Sequence, residues 1–161
     1  MGKTLTSFVD LLEEDLKKLQ NNIAKYAVQE MADELTEEAK NAIDYFYSSY
    51  DPKYYFRHDN FNRSYKRYYK NKAPRYIGGV ELLEDSIPNV YRGTDSSPKS
   101  VFERVYGGLH GIASLQNRAP IMAPSPMERI LNKYDEIIAN KDKYFNIATS
   151  RAMRDSYNII S

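Results

Sequence analysis

The feature that most constrains the fold is an uninterrupted helical pattern over the first third of the chain. Apolar residues recur at steps of three and four from Leu5 to Phe46, and neither glycine nor proline occurs between Gly2 and Pro52. This period predicts an amphipathic helix. About 40 residues at about 1.5 Å each give a rod near 60 Å long, far beyond the average of about 12 residues. Unless it breaks at Asn21-Asn22, such a rod overhangs an ordinary core.

The apolar stripe near the start of this helix therefore needs cover. We predict burial against the sheet, the carboxy-terminal helix or a neighbouring subunit for Leu12, Leu16, Leu19 and Ile23. The acids on the polar face indicate a solvated or partner-facing surface, and they include Glu13, Glu14, Asp15, Glu34, Glu37 and Glu38.

Charge is strongly segregated along the chain, although the whole carries a net charge of only +1. In residues 1–50, five lysines accompany ten acids, a net charge of −5. In residues 51–75, eight lysines or arginines accompany two acids, a net charge of +6. Such a chain can neutralise itself by folding one part against the other, or can match complementary faces of identical copies.

The middle of the chain has the signals of a small sheet. Two strands are predicted from Ser64 to Lys70 and from Tyr76 to Leu83, with Gly78-Gly79 marking a bulge or a close approach. The alternating sequence from Val101 to Tyr106 predicts a third strand. Extended loops are expected at 85–100, rich in proline and serine, and at 107–125, which holds a glycine-rich and a proline-rich part.

A second helix is predicted after these loops. Ser125 as N-cap, Pro126 at the first helical position and Glu128 three residues after the cap form a capping box, and Lys141-Asp142-Lys143 is a point of interruption. The predicted buried face consists of Met127, Ile130, Leu131, Tyr134, Ile137, Ile138, Phe145, Ala148, Ala152 and Met153. The order of elements predicts one α+β domain over residues 1–161, with a long amino-terminal helix, a small and mostly antiparallel central sheet, and a carboxy-terminal helix.

Composition argues against several function classes. The chain of 161 residues has no cysteine, which excludes disulfides, thiolate metal sites and thiol nucleophiles. A mean hydropathy of −0.68 and the lack of a long apolar run indicate a water-soluble protein made in the cytoplasm. The only histidines, His58 and His110, fall in predicted loops, and no nucleotide-binding or hydrolase motif occurs. We therefore expect no enzymatic activity, no metal and no cofactor.

The stretch from Tyr54 to Lys72 combines tyrosines with lysines and arginines more densely than any other. Bases stacked on tyrosine, with phosphates held by cations, would need this mixture, so one hypothesis is a cytoplasmic nucleic-acid-binding protein. The other is that the tyrosines pack on a sheet or a subunit interface, with the charges outside or paired to the acidic helix. No zinc-ligand pattern, phosphate loop or RNA-recognition motif accompanies the stretch.

The chain resembles the tail-completion, or head-tail joining, proteins of long-tailed bacteriophages. The segment from Tyr55 to Tyr65, YFRHDNFNRSY, is similar to that family's Y-x-R-t-x-x-L-x-x-S element, with His58-Asp59 in place of its Thr-Gly and Phe61 in place of its Leu. Further on, VYGGLHG and PIMAPSPMERIL resemble the family's loop and its proline-led start of a carboxy-terminal helix.

This resemblance implies a non-enzymatic virion component with an α+β fold that forms a ring, of six subunits in such proteins. The ring would complete the tail or join it to the head connector, next to other neck and tail-tube proteins, and DNA would pass through it. The predicted subunit contacts are Leu12, Leu16, Leu19, Ile23, Tyr55, Phe61, Tyr65, Leu109, His110, Ile121 and Met122. The predicted DNA-facing residues are Arg63, Lys66, Arg67, Lys70 and Lys72.

Overall fold

The computed structural model describes residues 5–48, 64–83, 103, 105–110, 121–122 and 125–157. Their elements are helix α1 (Leu5–Ser48), strands β1 (Tyr65–Lys72), β2 (Arg75–Leu82), β3 (Leu109–His110) and β4 (Ile121–Met122), and helices α2 (Pro126–Ala139) and α3 (Lys141–Tyr157). The α+β class is confirmed: a long amino-terminal helix, an antiparallel two-stranded sheet and carboxy-terminal helices. The expected loop at 85–100 lies outside the described residues.

Helix α1 runs for 44 residues without a break at Asn21-Asn22, which corresponds to about 65 Å at about 1.5 Å per residue. Its second half supplies most of the core. Ala27, Ala39, Ala42, Ile43 and Phe46 are all at most 1% exposed. Small alanine side chains let the packed elements come close to the helix axis, so this half serves as the central support of the domain.

The hairpin β1–β2 lies along one side of α1, and α2 and α3 lie along another. Three acids at four-residue spacing, Glu30, Glu34 and Glu38, face the carboxy-terminal helices. Arg151 Nη1 is 3.1 Å from Glu30, Lys133 Nζ is 2.7 Å from Glu34, and Arg129 Nη2 is 2.8 Å from Glu38. The three acids therefore pair within the chain, and the interpretation of Glu34 and Glu38 as solvated or partner-facing is wrong.

Glu34 is the most heavily contacted of these acids. It accepts a hydrogen bond from Lys133, and the Tyr144 hydroxyl donates a second one at 2.8 Å. The bond from Lys133 is the largest cause that lowers the pKa of the Glu34 carboxyl. Burial and this bond to Glu34 together raise the pKa of Tyr144 to about 12. The group ties α1 to both carboxy-terminal helices.

The carboxy-terminal helix is interrupted at Asn140, next to the predicted point. Ser125 caps α2: its hydroxyl accepts the Glu128 N–H at 3.2 Å, as the capping box predicts. The predicted buried face is only half right. Ile130, Ile137, Ala148 and Ala152 are buried, whereas the exposed members are Leu131, Tyr134, Ile138, Phe145 and Met153. Apolar residues on these helices thus form two faces, of which α1 covers one.

The third predicted strand is wrong in the part that the structure describes. Glu103, Val105 and Tyr106 are helical, and Gly107-Gly108 form a turn in which Gly108 has φ 79°. Instead, β3 and β4 form a second, two-residue ladder inside the predicted loop 107–125. Among the described residues, no helix is long and apolar enough to cross a membrane.

Candidate functional site: the outer face of the hairpin

The basic, tyrosine-rich stretch folds into one strand of a hairpin. β1 and β2 pair in a regular antiparallel register from Tyr65↔Leu82 to Lys72↔Arg75, joined by a two-residue turn whose Ala73–Pro74 peptide is cis. Side chains alternate between the two faces of a strand, and directly opposite residues share a face. The hairpin therefore divides the stretch into an inner face on α1 and an outer face turned away from it.

The inner face holds Tyr65, Arg67 and Tyr69 of β1. Arg67 pairs with Asp33 of α1 and donates a hydrogen bond to the Gln29 carbonyl at 3.4 Å. Burial raises the pKa of Tyr65 and of Tyr69. Arg67 is therefore used for packing the hairpin on the acidic helix, and the structure separates it from the other predicted DNA-facing residues.

The inner face also explains the glycine pair. A Cβ added to Gly78 would lie 2.8 Å from Val28 Cγ1, 3.0 Å from the Val28 carbonyl oxygen and 3.1 Å from Ala32 Cβ. The predicted close approach is thus found at Gly78, and the regular register excludes a bulge there. Gly79 points outward, where an added Cβ would meet no atom within 4 Å.

The outer hairpin face, as we define it, consists of Lys66, Tyr68, Lys70, Lys72, Arg75, Ile77, Gly79 and Glu81. It has four cations and one acid. The acid pairs with Lys66, since Lys66 Nζ is 3.0 Å from Glu81 Oε2. Lys72 and Arg75 have no carboxylate partner within the described ranges. The face is therefore a cationic surface with a net charge of +3.

The centre of the outer hairpin face is apolar. Lys70 Nζ lies 5.4 Å from the centre of the Tyr68 ring, and hydrogen bonding to the Tyr68 side chain raises the pKa of Lys70. Ile77, opposite Lys70, is 55% exposed. Tyr68 and Ile77 are diagonal neighbours, and Gly79 leaves the space beside Tyr68 open. The surface thus offers a small apolar patch with lysines along β1 and Arg75 beside it on β2.

Strand alternation could have found this division from the sequence. Lys66, Lys70 and Lys72 have even residue numbers and Arg67 has an odd one, so the two-residue period of a strand places Arg67 on the opposite face from the lysines. Arg75 and Ile77 were missed because they join the lysines only once the turn fixes the register. Arg63, predicted to face DNA, lies outside the described residues.

The predicted subunit contacts fall into several places. Leu12 and Leu16 are exposed, while Leu19 and Ile23 are half-buried. Tyr65 is half-buried on the inner hairpin face. The structure does bring four of the predicted residues together, because Leu109 pairs with Met122 and His110 with Ile121 in the β3–β4 ladder. Tyr55 and Phe61 lie outside the described residues.

The overhang of α1, which we define as residues 5–18, is the second surface of interest. Every described side chain in it, from Asp10 to Lys18, is exposed. Leu12 is 48% and Leu16 56% exposed, on the side of α1 that α3 covers further along. At about 100° per residue, Glu13 and Asp15 border this apolar stripe, and Lys17 and Lys18 lie on the far side. The overhang is an apolar stripe with acidic borders.

No cluster of three or more residues suited to holding a metal ion occurs in the part of the chain that the structure describes. Comparisons with models of protein families, with curated proteins and with solved structures found no match. The resemblance to phage tail-completion proteins therefore stays a prediction.

Proposed function

We propose that the protein is a non-enzymatic structural component of a bacteriophage head-tail joint. It would assemble with copies of itself into a ring that completes the tail or connects it to the head connector, and so reside in the virion after synthesis in the host cytoplasm. The single observation that supports assembly is the exposure of the overhang. Its residues Leu12 and Leu16 are not covered by the described parts of their own chain.

Assembly would remove the unfavourable exposure of the Leu12 and Leu16 side chains to water. A fully buried leucine contributes about 1.5–3 kcal/mol relative to an exposed one. Leu12 and Leu16 are 48% and 56% exposed, so covering both completely adds about half of that figure for each. Scattered exposed leucines need no explanation, but a stripe at the end of a helix that continues beyond its core does. Subunit contact explains why the helix extends into an overhang about 20 Å long, in which every described side chain is exposed.

The viral context comes from the sequence resemblance over Tyr55 to Tyr65 and over the two later motifs. The α+β architecture agrees with that context, and so does the cationic outer hairpin face, because scattered cations without a binding motif suit a surface past which DNA moves. These features support the proposal.

The test is the mass of the purified protein by light scattering, over a range of concentrations, alone and mixed with phage tail tubes. We expect a concentration-dependent oligomer, or a monomer that becomes a ring on the tube. Leu16→Gln should weaken this assembly. Leu11→Gln is the matched control, because Leu11 is 50% exposed on the same helix but lies off the stripe, and it should assemble normally.

The competing function is nucleic-acid binding by the outer hairpin face. It is favoured by the three lysines and Arg75 that share the outer hairpin face with Tyr68, an aromatic side chain on which a base could stack. It predicts salt-sensitive DNA binding by a protein that stays monomeric, lost in the Lys70→Glu/Lys72→Glu variant. A monomer that binds DNA and no part of the virion would overturn the structural proposal.

A further inference from the structure

We propose that the outer hairpin face of one copy is the docking site for the overhang of a second copy. This inference rests on the proposed assembly and names the two surfaces that meet. The two described surfaces match in polarity, in charge and in size.

The two surfaces match in polarity. The outer hairpin face has an apolar centre, formed by Tyr68 and Ile77, with cations around it. The overhang has an apolar stripe with Glu13 and Asp15 at its borders. Laying the stripe on the apolar centre therefore brings carboxylates toward ammonium and guanidinium groups on both sides. Such complementarity selects the partner and its orientation.

The net charges also match. From Asp10 to Lys18 the overhang carries four acids and two lysines, a net charge of −2, against +3 on the outer hairpin face. Lys18 is held by Glu14 and Asp15 of its own helix, with Nζ 2.8 Å from Glu14 Oε1 and 3.6 Å from Asp15 Oδ1. Lys17 and Lys18 both lie on the side of the helix away from the stripe, so neither lysine opposes the docking surface directly.

The sizes are compatible. Two strands about 4.8 Å apart, with their side chains, make a surface about 10 Å wide, which is the diameter of one helix. The open space above Gly79 allows the helix to lie beside Tyr68. Eight residues of strand at about 3.4 Å each span about 27 Å, enough for the whole overhang.

The occupant has to come from another copy. The inner face of the hairpin lies on Val28, Gln29 and Asp33 of α1, so the outer face is turned away from that helix. The overhang of the same chain continues along the axis of α1 and cannot reach it without breaking the helix. Because the two matching surfaces are different, the contact is head-to-tail, which generates a ring when the rotation closes.

The experiment is a charge swap with three variants of the full chain. The first carries Glu13→Lys and Asp15→Lys in the overhang, and the second carries Lys70→Glu and Lys72→Glu in the hairpin. In each alone, overhang and hairpin face have like charges, so we expect assembly to weaken by about tenfold or more by light scattering. Mixed in equal amounts, each overhang meets a hairpin of opposite charge, and assembly should return.

The matched control carries Asp10→Lys and Glu14→Lys. It makes the same change in charge on the same helix, but on the side opposite the stripe, and it should assemble like the wild type. All three variants change exposed side chains, and circular dichroism verifies that their helix content is retained. Restoration in the mixture is a result that a folding defect cannot produce.

Failure of this inference is distinguishable from failure of the proposed function. If Leu16→Gln weakens assembly while both charge variants assemble normally, the overhang docks elsewhere and the inference is wrong, but the assembly proposal stands. If the hairpin variant loses DNA binding with its mass unchanged, the outer hairpin face is a nucleic-acid site. If the wild type stays monomeric and binds no tail part, both proposals fall.

Discussion

Tyr106 joins three separate parts of the core through polar bonds. It is 2% exposed, and its hydroxyl lies 2.9 Å from the hydroxyl of Ser64, which is itself fully buried just before β1. The Ser125 hydroxyl, which caps α2, donates to the Tyr106 carbonyl at 2.6 Å. One side chain and its backbone therefore link the start of the hairpin, the helical residues Val105 and Tyr106, and the start of α2.

Alkaline pH should weaken the fold through this residue. Burial raises the pKa of Tyr106 to about 12, from an ordinary value near 10. Below pH 10 the phenol is protonated in both states, but between about pH 10 and 12 the unfolded chain loses its proton first. The free energy of unfolding should therefore fall as pH rises through this window. Urea denaturation at several pH values from 8 to 11.5 measures how the free energy of unfolding changes with pH. This range spans the ordinary pKa of tyrosine, which is about 10.

The matched variants for this experiment are Tyr106→Phe and Tyr134→Phe. Removing the Tyr106 hydroxyl should cost about 1–2 kcal/mol at pH 8, because a buried hydrogen bond is lost, and should make the pH dependence flatter. Some pH dependence should remain in this variant, because the pKa of Tyr144 is also raised to about 12. Tyr134 is half exposed, so its variant should behave like the wild type. An unchanged slope in Tyr106→Phe would refute this account of alkaline destabilisation.

At the level of single residues, the sequence predicts that a cationic surface exists better than it predicts which residues belong to that surface. It identified the dense cationic stretch, but grouped Arg67 with Lys66, Lys70 and Lys72, because the faces of a strand become known only when its partner is known. The pairing of Arg67 with Asp33 depends on a contact between residues that are 34 positions apart. Such contacts follow from tertiary packing and have no local signal.

The position of the hairpin on α1 depends on the missing side chain of Gly78. An added methyl group at this position would come too close to the Val28 side chain, to its carbonyl oxygen and to Ala32. The backbone of a strand can therefore approach the helix as closely as it does only with glycine at this point.

Gly78→Ala should lower the free energy of unfolding by about 1–3 kcal/mol, since the strand or Val28 has to shift. Gly79→Ala is the matched control: it adds the same methyl group one residue along, in open space, and should change stability by less than about 0.5 kcal/mol. Urea denaturation measures both. Val28→Ala combined with Gly78→Ala should recover part of the loss, and equal effects at the two glycines would contradict the packing explanation.

Elements with a strong period were predictable, and the short ones were not. α1, the hairpin and the capped start of α2 follow from periodicity and punctuation that are local in sequence. The alternation from Val101 to Tyr106 is equally regular, yet Val105 and Tyr106 are helical, because their burial and the bonds of Tyr106 override a weak strand preference. The β3–β4 ladder has only two residues in each strand, too few for a pattern.

At the scale of the molecule, α1 is one continuous helix with a covered part and an exposed part. Residues 27–46 are covered by the hairpin and the carboxy-terminal helices, whereas the overhang extends past them. The sequence shows the same apolar period in both halves. It does not show which half is covered, since the covering elements come from residues 65–82 and 126–157.

Hydrogen exchange should distinguish the exposed part of α1 from the covered part. In the monomer, amides of residues 5–18 should exchange roughly 100-fold faster or more than those of residues 27–46, because a helix end without tertiary contacts frays easily. On assembly the overhang should become protected, as should the hairpin amides if the proposed docking is correct. Uniform protection along α1 in the dilute monomer would show that the overhang is covered within its own chain.

Gly78 has a consequence for the geometry of any assembly. Four residues of β2 face α1, and Gly78 is the only one of them that fits against Val28 and Ala32. If the hairpin shifted along α1 by two strand residues, Tyr76 or Val80 would lie at this position, which has no room even for a methyl group. The glycine thus fixes the distance between the outer hairpin face and the tip of the overhang. In a head-to-tail series this distance is repeated at every step, so a side chain of one hydrogen atom helps to set the curvature, and with it the diameter, of the ring we propose.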